Sequence, residues 1–182
     1  MAILKIAKMG HPILRRSAEE VLDPTADQIR RLVQDMVDTM EDADGAGLAA
    51  PQVHVPLRVV VFHVPAERDE ENPEPVPLSV LVNPVVEPLT EENEVDWEGC
   101  LSVPGMMGAV PRFTKVRYRA LTLDGEPINR VAEGFHARVV QHECDHLDGV
   151  LYPQRINDLS LLMFNDQLRY HDDVNLDEAA TS

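Results

Sequence analysis

The chain has 182 residues, enough for one hydrophobic core, and its 44% hydrophobic content is that of an ordinary globular protein. Its formal net charge of −16 sits mostly in two places: residues 67 to 98 carry eleven acids against one arginine, and the tail after His171 carries four acids and no lysine or arginine, while residues 99 to 171 balance eight against eight. A nucleic-acid-binding surface is therefore not supported, no run is long enough to span a membrane, and with two cysteines and no visible secretory segment a reducing, cytoplasmic setting is expected.

The first predicted element is a helix. Thr25-Ala26-Asp27-Gln28 has the form of a capping box, and Ile29, Leu32, Val33, Met36, Val37 and Met40 follow at helical spacing as a core-facing stripe. Next comes Gly45-Ala46-Gly47-Leu48-Ala49-Ala50-Pro51-Gln52, whose small residues let a backbone or ligand approach closely. Lying before a strand predicted at 57 to 64, this run reads as an exposed edge able to pair with an extended peptide through Ala46 and Gly47. Residues 65 to 77, rich in proline and acid, have little to bury and read as a solvated loop. Further strands are predicted at 78 to 87, 113 to 123 and 127 to 132, with Asp124-Gly125 as the turn between the last two.

The segment from Glu133 to Gly149 is predicted to be a helix, and it carries the chemistry. At about 100° per residue, Phe135, Val139, His142, Glu143 and His146 share one stripe. Ala137, Val140, Cys144 and Leu147 form a second apolar stripe, Arg138, Gln141, Asp145 and Asp148 a polar strip, and Gly149 is a natural stop. His142-Glu143-Cys144-Asp145-His146 is an HExxH pattern: two imidazoles four apart can hold one metal ion with the glutamate facing it. In zinc peptidases with the extended motif the third ligand is a histidine six residues on; here that position is Tyr152. Asp158 and Asp166 are weaker candidates, and Cys100 a better one, since a thiolate is a strong, soft ligand. Cys144 faces away and reads as an inert buried thiol. Arg112 is expected to pair with Glu98 behind the cysteine loop, and Phe135 and Val139, with His142, to flank a side-chain pocket. Ser160 to Tyr170 is predicted to be a terminal helix, followed by an acidic, flexible tail over 171 to 182.

Three ordered motifs, Gly45 to Gln52, Glu98-Gly99-Cys100-Leu101-Ser102 and Gln141 to Gly149, resemble those of bacterial peptide deformylase, and the resemblance runs from Gly10-His11-Pro12-Ile13-Leu14-Arg15 through Leu151. It implies a hydrolase that removes the formyl group from the N-terminal formyl-methionine of new polypeptides. The metal would be held by Cys100, His142 and His146, with iron(II) the usual physiological metal and zinc, nickel or cobalt able to replace it. Glu143 would move the proton, and the Gln52 amide and the Leu101 backbone N–H would donate to the oxyanion, with Gly99 beside the substrate. The partners implied are formylmethionyl peptides and nascent chains, met in a transient encounter at the ribosome. Some family members dock there through a basic C-terminal helix, whereas here Arg169 is followed by Asp172, Asp173, Asp177 and Glu178, which argues against docking by that route.

The fold class expected is α+β: mostly antiparallel sheets packed around a central metal-binding helix, with an N-terminal core helix and a C-terminal helix. Residues 1 to 170 are read as a single catalytic domain. An HExxH metallopeptidase and a non-catalytic metal-binding protein are the rival readings.

Overall fold

The computed structural model describes residues 2–66 and 75–170. Most of the acidic loop expected at 65 to 77 and all of the tail over 171 to 182 lie outside the described residues.

Helix α1 (Asp27–Asp42) buries Ile29, Val33, Met36, Val37 and Met40, as the periodicity predicts. The expected capping box does not form. The N-cap is Ala26, and Thr25 turns instead to Asp23, whose Oδ1 accepts from the Thr25 amide at 2.9 Å and from its hydroxyl at 2.7 Å. That local turn satisfies Thr25 before the helix begins.

A five-stranded sheet follows, in the order β1 (Gly47–Ala49), β2 (Val59–Val64), β3 (Val76–Pro88), β6 (Lys115–Leu121), β7 (Pro127–Glu133), every pair antiparallel. Val59 and Val61 of β2 pack against the α1 side, while Val60, Phe62 and Val64 face the opposite layer. A strand buried on both faces reads as a continuous apolar run, which is how Val59 to Phe62 appear in the sequence. Three strands expected from the sequence are therefore present with edges moved by a few residues, and the 113-to-123 strand begins at Lys115.

Two longer strands were not anticipated. β4 (Asn93–Cys100) and β5 (Val103–Phe113) form a hairpin, and β8 (Leu162–Phe164) adds to β5 to make a second, three-stranded sheet. The terminal helix expected over Ser160 to Tyr170 is instead a 3-10 turn at Leu159–Leu161, strand β8, and a 3-10 helix over Asn165–Tyr170. Pairing of Leu162, Met163 and Phe164 with Gly108, Met107 and Met106 takes the backbone bonds that a helix would have used.

Helix α2 (Gly134–Leu147) is the central element. Ala137, Val140, Cys144 and Leu147 pack into the core beneath the large sheet. Burial of a side chain the size of Val or Leu contributes about 1.5–3 kcal/mol relative to exposure. The helix ends where the sequence indicates: Gly149 has φ +76°, its N–H meets the His146 carbonyl, and Val150 N–H reaches the Asp145 carbonyl at 2.9 Å. This is the Schellman pattern that glycine favours. Among the described residues no helix is long and apolar enough to cross a membrane.

Candidate metal centre

The site is built where the two sheets meet over α2. Cys100 ends β4 at a register shift beside Gly99, and α2 presents His142, Glu143 and His146. One donor atom each from Cys100, His142 and His146 lies within 4.8 Å of the other two, the one such group among the described residues. Cys100 Sγ is 3.3 Å from His146 Nε2. His142 gives its Nδ1 side to Glu98 Oε2 at 2.8 Å, which leaves Nε2 for the cluster. A soft thiolate and two imidazoles converging in this way suit a divalent transition metal.

The weaker third-ligand candidates are overturned. Asp158 accepts the Ser160 amide at 2.8 Å as a cap, and Asp166 is exposed; neither joins the group. Tyr152, the position used by extended-motif peptidases, stacks its ring on His142 at 6.2 Å between centroids. It packs against His142 from the small core and does not join the donor group. Cys144 lies in the core, where burial pushes its thiol well above the usual range and keeps it protonated.

Electrostatics divide the two histidines. Burial and the neighbouring His142 push His146 well below its ordinary pKa, so its ring stays neutral. Burial works against charge on His142 as well, but its bonds to Cys100 and Glu98 outweigh that and raise it. Glu98 shows the same contest: burial favours the neutral acid, yet hydrogen bonds from Arg112 and His142 hold its carboxyl well below the usual range. Glu143 is buried without such partners, its Oε2 unbonded, and burial pushes its carboxyl up to about 7. That value suits a proton shuttle near neutral pH.

Gln52 is 1% exposed and tightly oriented. Its Oε1 accepts the Ala49 amide at 2.8 Å, while Nε2 donates to Ser102 Oγ at 3.2 Å and faces Cys100 Sγ at 3.5 Å. The amide therefore turns its donor toward the cluster. A cavity of about 560 Å³ opens here. Ala46, Gly47, Gly99, Leu101, Phe135 and Val139, all singled out from the sequence, line it with Cys100, His142 and Glu143.

Behind the cavity Arg112 pairs with Glu98 through both its Nε (2.8 Å) and Nη2 (2.9 Å), and its Nη1 holds Asp145 Oδ2 at 2.6 Å. Sequence reasoning missed two members of this network. Arg138 donates to Glu98, and Asp145 is held by both Arg112 and Arg155. Both sit in the polar strip of the helix, and helical phase does not distinguish a strip facing solvent from one facing buried charges. The signal that was available is the alternation Glu94, Asp96, Glu98 on the facing strand.

Fold and site together define a metal-dependent hydrolase. A family model described as Polypeptide deformylase matches residues 3–161. Peptide deformylase 1 of Nitrosomonas europaea is 52% identical over 166 residues, covering 91% of this chain and 94% of that one. Peptide deformylase 1 of Bordetella pertussis is 50% identical over 174 residues, covering 94% and 98%. Among solved structures, class I type b peptide deformylase from Acinetobacter baumannii with Met-Ala-Ser bound has a TM-score of 0.78 and 38% identity, covering 85% of this chain and 99% of that one. The chain belongs to the polypeptide deformylase family, whose members are enzymes that remove the formyl group from nascent polypeptides.

Proposed function

We propose that this chain hydrolyses the formyl amide of N-formylmethionyl peptides with Cys100, His142 and His146 holding one divalent metal. The convergence of those three donors beside Glu143 is the observation that carries the reading. Iron(II) is the physiological metal in this reading, and zinc, nickel or cobalt fit the same donors. When bound, the metal supplies Lewis acidity and a water made acidic enough to attack near neutral pH.

The remaining chemistry belongs to the chain. Glu143 accepts the attacking water's proton and hands it to the leaving amine as the formyl C–N bond breaks. Gln52 Nε2 and the Leu101 backbone N–H donate to the oxyanion, and neither group titrates in the working range. The peptide backbone lies between the edges of β1 and β4, against Ala46, Gly47 and Gly99. Phe135 and Val139, with the His142 ring, flank the methionine side chain. Glu98 and Arg112 hold His142 from behind. The Met-Ala-Ser complex of the Acinetobacter baumannii enzyme supports a peptide with N-terminal methionine at this cavity.

Residues 1–170 serve as the one catalytic domain, acting in the cytoplasm on chains as they leave the ribosome, with the acidic tail taking no part in docking. The test is an anaerobic assay of formate release from a formyl-Met peptide by the metal-loaded protein and by Glu143→Ala. Release by the wild type and its loss in the variant is expected. Formate from neither sinks the proposal, and cleavage of unformylated peptides by the wild type would favour a peptidase.

A further inference from the structure

Glu98 is a carboxylate with every lone-pair direction taken. Its Oε1 accepts from Arg112 Nε at 2.8 Å and Arg138 Nη1 at 3.0 Å; its Oε2 accepts from Arg112 Nη2 at 2.9 Å and lies 2.8 Å from His142 Nδ1. Arg112 reaches Glu98 from within the same hairpin, β4 and β5. Arg138 comes from elsewhere. It stands on α2 four residues before His142, hence on the same side of the helix, and is 4% exposed. Its other donors cross to the small sheet, Nη1 to the Val110 carbonyl of β5 and Nη2 to the Glu94 carbonyl of β4, each at 2.8 Å.

We propose that Arg138 is a positioning residue of the metal centre, tying Glu98 to the helix that carries His142 and so fixing the His142 ring and the Cys100 strand relative to each other. Arg112 also crosses to α2, through Nη1 to Asp145 Oδ2 at 2.6 Å, but its hold on Glu98 lies within the hairpin, so among the described residues Arg138 is the arginine that grips Glu98 itself from the helix carrying His142. Without Arg138, Oε1 keeps one partner and the Val110 and Glu94 carbonyls each lose a donor. The carboxylate is then free to slide along the Arg112 fork, and the imidazole it orients follows. Partners that orient a ligating histidine typically matter about 10- to 100-fold for metal affinity or activity.

The inference rests on the proposed His142, His146 and Cys100 centre, and its test reads the metal directly. Cobalt(II) is loaded anaerobically into wild type, Arg138→Met and Arg138→Lys; affinity is taken from chelator competition, and coordination from the thiolate-to-cobalt and ligand-field absorption bands. Arg138→Met is expected to bind cobalt about 10- to 100-fold more weakly, with shifted bands. Arg138→Lys is expected to recover part of both, since an ammonium reaches Glu98 but does not span it and two carbonyls. Wild-type affinity and bands in a folded Arg138→Met protein overturn the role of Arg138, whatever the fall in its melting temperature. If that variant does not fold, Arg138→Gln, which keeps an amide donor but no charge, is judged by the same criterion. A wild type that binds no cobalt overturns the metal centre itself, and this proposal with it.

Discussion

Glu143 has no room to spare beside Gly47. A Cβ built on Gly47 would lie 2.4 Å from Glu143 Oε1, 2.6 Å from its Cδ and 2.8 Å from its Cγ, where ordinary contact begins near 3.4 Å. In Gly47→Ala the carboxylate must therefore move by about 1 Å, a displacement of the size that can cost about 100-fold when it falls on a group positioned for reaction. That corresponds to about 2.7 kcal/mol in the barrier. Glu143 is 5% exposed and lines the cavity, so the displaced carboxylate moves within the site and away from its position for reaction. The loss should appear in kcat for formate release, with metal content unchanged, because the three atoms nearest a Cβ at Gly47 all belong to Glu143 and none to a metal donor. Gly45→Ala is the control: its Cβ meets the end of the flexible Leu101 side chain at 2.9 Å, so a smaller effect is expected. A Gly47→Ala enzyme with wild-type kcat would refute the placement of Glu143 as the proton carrier.

Replacing Gln52 by Leu removes one proposed oxyanion donor and should lower kcat by about 100- to 1000-fold; metal analysis should find the wild-type stoichiometry, and unchanged kcat would exclude Gln52 from the reaction. Glu98→Gln takes the carboxylate from buried Arg138 and leaves buried Arg112 with Asp145 alone, and should destabilise the metal-free protein by about 3–5 kcal/mol at neutral pH. The folded Glu98 carboxyl is held below its usual value near 4.5, so this contribution is full above about pH 4.5 and is lost as the pH falls and the unfolded chain takes up the proton first. Urea titrations of wild type and variant from pH 7 to pH 3 should show the gap closing below 4.5, and a gap independent of pH would contradict the assignment. Cys144→Ala should keep wild-type formate release and metal content, at a stability cost of about 1 kcal/mol; loss of metal would mean that the wrong cysteine had been set aside.

The parts of this protein that were legible in the sequence are those governed by local period or by rare residue types. Helix α2 announced both apolar stripes because its faces repeat every 3.6 residues, and Cys100 stood out as one of two cysteines beside the motif Glu98-Gly99-Cys100-Leu101-Ser102. The β4 and β5 hairpin was not legible. β4 alternates Val95 and Trp97 with Glu94, Asp96 and Glu98, amid a run of acid that reads as solvated, and β5 carries Pro104, Gly105, Gly108 and Pro111, which argue against a strand. The hairpin holds because Arg112 and Arg138 neutralise Glu98 from two directions and because Val103, Val110, Leu151 and Tyr152 close a small core beneath it. Both conditions are tertiary. The same is true of residues 160 to 170, where β8 forms because the edge of β5 was there to pair with, against a helical pattern in the local sequence.

These omissions share one physical origin, which bears on the chemistry. Helix α2 has three partners: its apolar stripe meets the large sheet, its histidine stripe meets Cys100, and Arg138 and Asp145 meet the buried ions of the small sheet. Taking charges out of water is costly unless each finds its partners, so the third contact adds less to stability than its number of hydrogen bonds suggests. Apolar packing alone would hold the helix against the large sheet but would leave its rotation relative to Cys100 to side-chain fit. Directional bonds that cross from the helix to the small sheet, Arg138 to Glu98 and Arg112 to Asp145, set that rotation, since hydrogen bonds between buried ions tolerate little change in angle. A centre drawing two ligands from a helix and one from a strand of a different layer requires that relation to be fixed, and the buried charges are placed where they fix it.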